Sequence, residues 1–197
     1  MEPVFTLPYS EYAVIVEFGR HLGKADGFSF YVPTSRQNKG VDFLVYGSRH
    51  NKYLRFQVKS SRCYIHDDPR SLEKGNFKFS LWFNNFRKRY TAGEADYYLL
   101  FGLYPDYAIV KPIDAKKSFW RPLILCFPDV EMKKVLDAVL TKRDKKPDQF
   151  FYVEFDSPEK IWGTRGFLSF PKGKRDLTDY VLKNRLQGIK DDLSSNP

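Results

Sequence analysis

Between residues 41 and 59 the chain alternates apolar and polar positions twice, on either side of a polar turn. Val41, Phe43 and Val45 fall on one side of the first run, with Asp42, Leu44 and Tyr46 on the other. In the second run Leu54, Phe56 and Val58 alternate with Arg55, Gln57 and Lys59. Successive side chains of a strand point to opposite faces, so each run predicts a half-buried strand. The segment Gly47–Lys52 supplies the turn of a hairpin. Pairing the two strands so that their apolar rows coincide sets Asp42, Gln57 and Lys59 on one surface. A carboxylate, an amide oxygen and an ammonium placed together are suited to holding a hard cation beside a phosphate and a water.

Other elements follow from the same pattern. Val14, Ile15, Phe18 and Leu22 recur at helical spacing and predict a helix from Ser10 to about Leu22, capped by Ser10 and ended by Gly23. Glu17 borders that stripe; it either reaches over a sheet or stays half-exposed. Phe28–Val32 predicts a strand stopped by Pro33, and a polar loop then leads into Asp42. Arg36 and Lys39 in that loop either meet a phosphate or are simply solvated. After Lys59 an irregular segment with a turn at Asp67-Asp68-Pro69 precedes a short strand at Phe77, Phe79 and Leu81.

Farther along, Ala95–Tyr104 predicts a strand, with a hairpin turn at Pro105-Asp106 into Tyr107–Val110. Leu123–Phe127 and Phe150–Phe155 predict two more. A helix capped by Asp129 should run to about Leu140, followed by a charged linker from Lys142 to Pro147, and another helix from Leu177 to Leu186. The last seven residues should fray.

Charge narrows the partners. Lys and Arg number 33 against 24 acids, a net charge of +9 in 197 residues, which favours a polyanion. Charge alone does not choose among DNA, RNA and an acidic membrane surface. The run Arg87-Lys88-Arg89-Tyr90 is either a nucleic-acid contact or a solvated charge run. Two cysteines far apart, Cys63 and Cys126, argue against a disulfide framework and a zinc ribbon and fit a reduced, cytoplasmic setting. The N-terminus lacks the pattern of a secretory signal, and no apolar run approaches the ~20 residues of a membrane span. His21, His50 and His66 show no H-E-x-x-H spacing. There is no Walker A loop, no G-x-G-x-x-G and no G-x-S-x-G, and Gly163-Thr164-Arg165-Gly166 is too short for a phosphate loop.

The Asp42 strand followed by Gln57-Val58-Lys59 resembles the PD-(D/E)XK, or restriction-endonuclease-like, nucleases. Their motif is an Asp opening one strand and an acid-x-Lys on the next, often with a Glu on the preceding helix. The resemblance covers roughly residues 9 to 112 and includes the order helix, strand, hairpin. Val41 stands where Pro is usual, and Gln57 stands in place of the acid, a recurring variant. The resemblance implies an α/β fold with a mixed central sheet flanked by helices. It makes 1–112 the nuclease-like core and 113–197 an extension packed on the same domain. It implies a Mg²⁺-dependent endonuclease, with Mn²⁺ an alternative ion. Asp42, Glu17, Gln57 and the Val58 carbonyl become the metal ligands, and Lys59 positions water and phosphate. DNA is expected before RNA, and a homodimer fits an enzyme that cuts two strands. Two other functions fit the same residues: a nucleic-acid-binding protein whose site is disabled by Gln57, and a basic protein-interaction module.

Overall fold

The computed structural model describes residues 9–33, 40–66, 77–105 and 120–195. Arg36, Lys39, the Asp67-Asp68-Pro69 turn, Asp106 and Tyr107–Val110 lie outside them. The described chain is a mixed α/β protein with two five-stranded sheets and four α-helices.

Helix α1 is described from Tyr9 to Gly19, so Ser10 lies inside it and does not cap it. A tighter turn after Gly19 still delivers Leu22 to the core. Strands β1 (Phe28–Tyr31), β2 (Phe43–Gly47) and β3 (Lys52–Ser60) form an antiparallel meander. Between β3 and the next strand of this sheet the chain lays down β4 (Cys63–Ile65), β5 (Phe79–Phe83) and a single helical turn, α2 (Phe86–Arg89). β6 (Tyr97–Pro105) then joins β3 in parallel, and β7 (Trp120–Pro128) pairs β6 antiparallel along all nine residues. The first sheet therefore reads β1-β2-β3-β6-β7. Both edges of β6 are taken, by β3 and β7.

After β7 come α3 (Asp129–Asp137), β8 (Phe151–Ser157), β9 (Lys160–Gly163), β10 (Arg175–Asp176) and α4 (Leu182–Ser194). The second sheet is antiparallel, in the order β10-β9-β8-β5-β4. Each sheet combines strands from before residue 105 with strands from after residue 120. The charged linker 142–147 is a tight loop, closed where Leu140 bridges Pro147.

Two cores flank the first sheet. On one face Val14 and Phe18 of α1, Leu22 just after it, and Leu182, Ile189 and Leu193 of α4 cover Phe43, Val45, Phe56, Val58, Tyr97 and Leu99. Phe43, Phe56 and Tyr97 stack in a row across three strands, with centroids 4.9 and 5.3 Å apart, and Phe18 meets Phe43 and Phe56 edge-on. The other face of β6 and β7 packs on the second sheet through Tyr98, Leu100, Leu125, Leu81, Val153 and Phe155. The sheets touch at Gly102, where a Cβ would lie 2.4 Å from Leu81 Cδ2. Helices lie on both faces of the first sheet: α1 and α4 cover one, and on the other Met132, Val135 and Leu136 of α3 share the core with the second sheet, a layer that the expected fold does not include. The runs 79–83, 151–157 and 160–163 alternate and pair with one another, which builds that second layer.

Residues 191–195 do not fray, and 196–197 lie outside the described residues. α4 runs to Ser194, Leu193 is buried against Gly47, and the Tyr97 hydroxyl donates to Asp192 at 2.5 Å.

Candidate active site

The register Phe43↔Phe56 and Val45↔Leu54 aligns the apolar rows of β2 and β3, as the alternation requires. Continued by one pair, it would set Asp42 opposite Gln57. There the ladder breaks. The Asp42 N–H donates to the Phe56 carbonyl at 2.8 Å, and the Val58 N–H donates to the Asp42 carboxylate at 2.6 Å. A side chain has replaced a backbone acceptor at the point where β2 leaves β3. N–H and C=O of one strand residue project to the same side. The Val58 carbonyl therefore faces the edge at which Asp42 sits.

Lys59 lies beside this break. Burial pushes its ammonium below the ordinary lysine value; the Asp42 carboxylate opposes that most strongly, with lesser help from Glu94 and Glu11. Arg89 adds to the lowering. Asp42 and Lys59, named from the motif, thus act on each other, and three further charges act on the same lysine.

Gln57 is 4 % exposed, and its Oε1 is buried without a hydrogen-bond partner among the described residues. It sits between Asp42 and Tyr98, which is its parallel partner on β6. An orphaned amide oxygen in such a place costs about 1–3 kcal/mol relative to a bonded one. It is the donor that a hard cation would satisfy.

The loop from residue 89 to residue 96 is held firmly against this group. Tyr98 donates to the Thr91 carbonyl at 2.5 Å, Tyr90 donates to the Asp129 carboxylate at 2.8 Å, and the other Asp129 oxygen takes the Gly93 N–H. Burial is the main cause that lifts the Tyr98 phenol to about 12. These ties carry Arg89 and Glu94 to the site. Gly40, with φ +124°, admits Glu94: an added Cβ would lie 3.2 Å from the Glu94 Cβ and 2.7 Å from its Oε2.

Two acids of α1 border this region. Glu17 pairs with Arg20 at 2.5 Å and lies 3.7 Å from His21. At about 100° per residue it sits about 80° from the centre of the Val14–Phe18 stripe. Glu11, three before Val14 and seven before Phe18, lies about 40° from that centre and is a helix acid whose charge acts on Lys59. That spacing is readable in the sequence. Glu94 has no local signal.

The basic run also divides. Arg87 donates to the Leu136 carbonyl at 2.6 Å and to Asp137 at 2.8 Å, so it fastens α2 to α3. Lys88 and Arg89 are exposed. Arg55, on the same face as Gln57, is committed to Asp96 through its Nε, its terminal nitrogen and its backbone N–H.

The donors here are a carboxylate, an amide oxygen and a carbonyl, all hard oxygens. They suit Mg²⁺ or Mn²⁺ and not a thiophilic metal. Among the described residues no group of three or more His, Cys, Asp or Glu side chains gathers to hold a metal. No helix among them is long and apolar enough to cross a membrane. Comparison of the chain with protein-family models, with curated proteins and with solved structures returns no match.

Proposed function

We propose that this protein is a metal-dependent nuclease of the PD-(D/E)XK, restriction-endonuclease-like, type that hydrolyses phosphodiester bonds in DNA. The observation that carries this reading is the break in the β2–β3 ladder, where the Asp42 carboxylate holds the Val58 N–H beside the desolvated Lys59 ammonium. The order α1, β1, β2, β3, with β6 extending the sheet in parallel, agrees with it.

Asp42, the Gln57 Oε1 and the Val58 carbonyl are the groups that would hold Mg²⁺, with Glu11 or Glu94 acting through water. When bound, the ion supplies charge stabilisation for the attacking and leaving oxygens and lowers the pKa of a water. The residues do the rest. Lys59 places the attacking water and neutralises charge on the phosphate. Its partial burial strengthens both actions, because a desolvated cation is poorly screened. Lys88 and Arg89 extend the positive surface along which the strand backbone would lie.

A second reading has its own support. Gln57 brings no charge, and no three-acid cluster gathers among the described residues, which favours a protein of this fold that holds nucleic acid without cutting it. One assay separates the two. Supercoiled, single-stranded and branched DNA are incubated with the protein in Mg²⁺, in Mn²⁺ and in excess chelator. Metal-dependent cleavage, lost in Asp42→Asn, is the expected result. Retention of DNA with no cleavage under any condition establishes the binding protein instead.

A further inference from the structure

The outer face of the second sheet faces away from the first sheet, and no described helix or strand covers it. It carries Trp82 and Tyr152 side by side, paired across β5 and β8, with ring centroids 5.2 Å apart. Above them is a cavity of about 760 Å³, in the range of small-molecule sites. Its walls are not apolar. Among the described residues Lys142, Arg143, Arg165 and Lys174 line it, against two acids, Asp148 and Glu154.

One of those acids is already neutralised. Asp148 is 6 % exposed; it takes the Phe150 N–H on one oxygen and the Arg165 Nε, at 2.9 Å, on the other. The pair clamps the Arg165 guanidinium over the Phe150 ring at 4.9 Å and near Trp82 at 5.7 Å. Among the described residues the terminal nitrogens of Arg165 make no hydrogen bond. Lys174 lies over the Phe77 ring on the opposite wall, 4.7 Å from its centroid. Lys142 and Arg143 stand exposed on the loop between Thr141 and Lys146, which the Thr141 N–H closes. Thr164 lines the cavity, and its Oγ1 is buried with no partner among the described residues. Glu154, on the same face as Tyr152, adds an acceptor near the floor.

We infer that this cavity binds a nucleotide, packing the base against the Trp82–Tyr152 pair, whose rings stand at 75° so that one meets the base by its face and the other by its edge, and holding the phosphate with Arg143, Lys142 and Lys174. An aromatic floor takes any base by its face. The unpartnered Thr164 hydroxyl and the Glu154 carboxylate meet donors and acceptors on the base edge. The surplus cations on the rim meet the phosphate. The nucleotide is either a free nucleoside monophosphate or one unpaired nucleotide of a single strand. This inference does not rest on the nuclease reading, since no residue of the Asp42–Lys59 group takes part.

The test is titration calorimetry on the full chain with AMP, CMP, GMP and UMP, with ten-nucleotide single-stranded DNA, and with a duplex of the same length. Ribose 5-phosphate and inorganic phosphate serve as probes without a base. Two variants, Trp82→Leu and the exposed double variant Lys142→Glu/Arg143→Glu, are compared, with circular dichroism to confirm folding. Binding of a monophosphate, weakened roughly tenfold in each variant, supports a free-nucleotide site. Binding of single-stranded DNA alone, with the same losses, supports a site for a strand. If Trp82→Leu fails to fold, the double variant decides, because its side chains carry no packing. Equal affinity for ribose 5-phosphate, equal affinity for duplex and single strand, unaltered binding in the folded variants, or no binding of any probe at millimolar concentration each overturns the site. Asp42→Asn should bind these probes as the wild type does, so loss of cleavage and loss of nucleotide binding remain separate results.

Discussion

Two polar surfaces differ in how the chain assembles them. The Asp42–Lys59 group lies on one hairpin, and two of its members come from a three-residue run on β3. The basin over Trp82 and Tyr152 draws on Phe77, β5, the 141–146 loop, β8, Thr164–Arg165 and Lys174, residues that span nearly a hundred positions. Each surface contains one buried oxygen without a partner among the described residues, Gln57 Oε1 and Thr164 Oγ1. Each pairs an acid with a base, but in opposite ways. Asp148 and Arg165 are in direct contact and fix one another. Lys59 is lowered by burial even though acids surround it, so its charge is held at a cost. The first is a structural clamp with a free rim; the second is a strained charge of the kind found at reactive centres.

The sharpest way to break this comparison is Asp42→Asn. It keeps an acceptor for the Val58 N–H and removes the charge. Cleavage should fall by roughly a thousandfold, the scale of losing a principal electrostatic contributor, while the melting temperature stays close to wild type. Full activity would remove Asp42 from the chemistry.

Lys59→Met should cost about a hundredfold in rate and hold or raise the melting temperature, since a desolvated charge is gone. The pH dependence has a definite sign. The folded protein binds this proton less tightly than the unfolded chain, whose lysine titrates near 10.5. The group's cost to stability is full below its folded value and is relieved as pH rises from there toward 10.5. Thermal melts of wild type and Lys59→Met should therefore converge at high pH. A constant gap would mean that Lys59 is not desolvated.

Gln57 gives a smaller effect. Gln57→Glu should move the Mg²⁺ midpoint for cleavage down severalfold, because it adds a charge where the amide offers only a dipole. Gln57→Leu should stabilise the fold by about 1 kcal/mol by removing an unpaired buried oxygen. An unchanged metal midpoint in Gln57→Glu would show that residue 57 is not a ligand.

The smallest expected change separates the basic run. Replacing Lys88 and Arg89 with Ala should flatten the slope of log affinity for duplex DNA against log salt by about two, near one per phosphate contact. Arg87→Ala should leave the slope alone and lower stability by about 1–2 kcal/mol, through the lost bonds to Leu136 and Asp137. A slope unaffected by Lys88 and Arg89 would take α2 out of the interface.

The sequence by itself determined the elements and their faces. Period-two alternation put Phe43, Val45, Phe56 and Val58 on a buried row, and the hairpin register followed because any one-residue slip would expose that row. It also brought Asp42 toward Gln57 and Lys59, since those positions are local to one hairpin. The spacing of Val14 and Phe18 contains the position of Glu11, although the border residue Glu17 is the acid that the helix motif suggests first. Other features have no local signal. Nothing near Glu94 announces that Gly40 will make room for it, and nothing in Arg87 separates it from Lys88 before α3 is placed beside it. Of the second sheet β5 and β8 are legible in the sequence, whereas β4, β9 and β10 are runs too short for a clear pattern, and the layer is not legible because which strands pair is settled by contacts across the whole chain. The basin over Trp82 exists only once β5 and β8 are neighbours. Pattern along a chain fixes which face is apolar; only packing decides what that face meets, which charges are dried and which polar atoms are left without a partner.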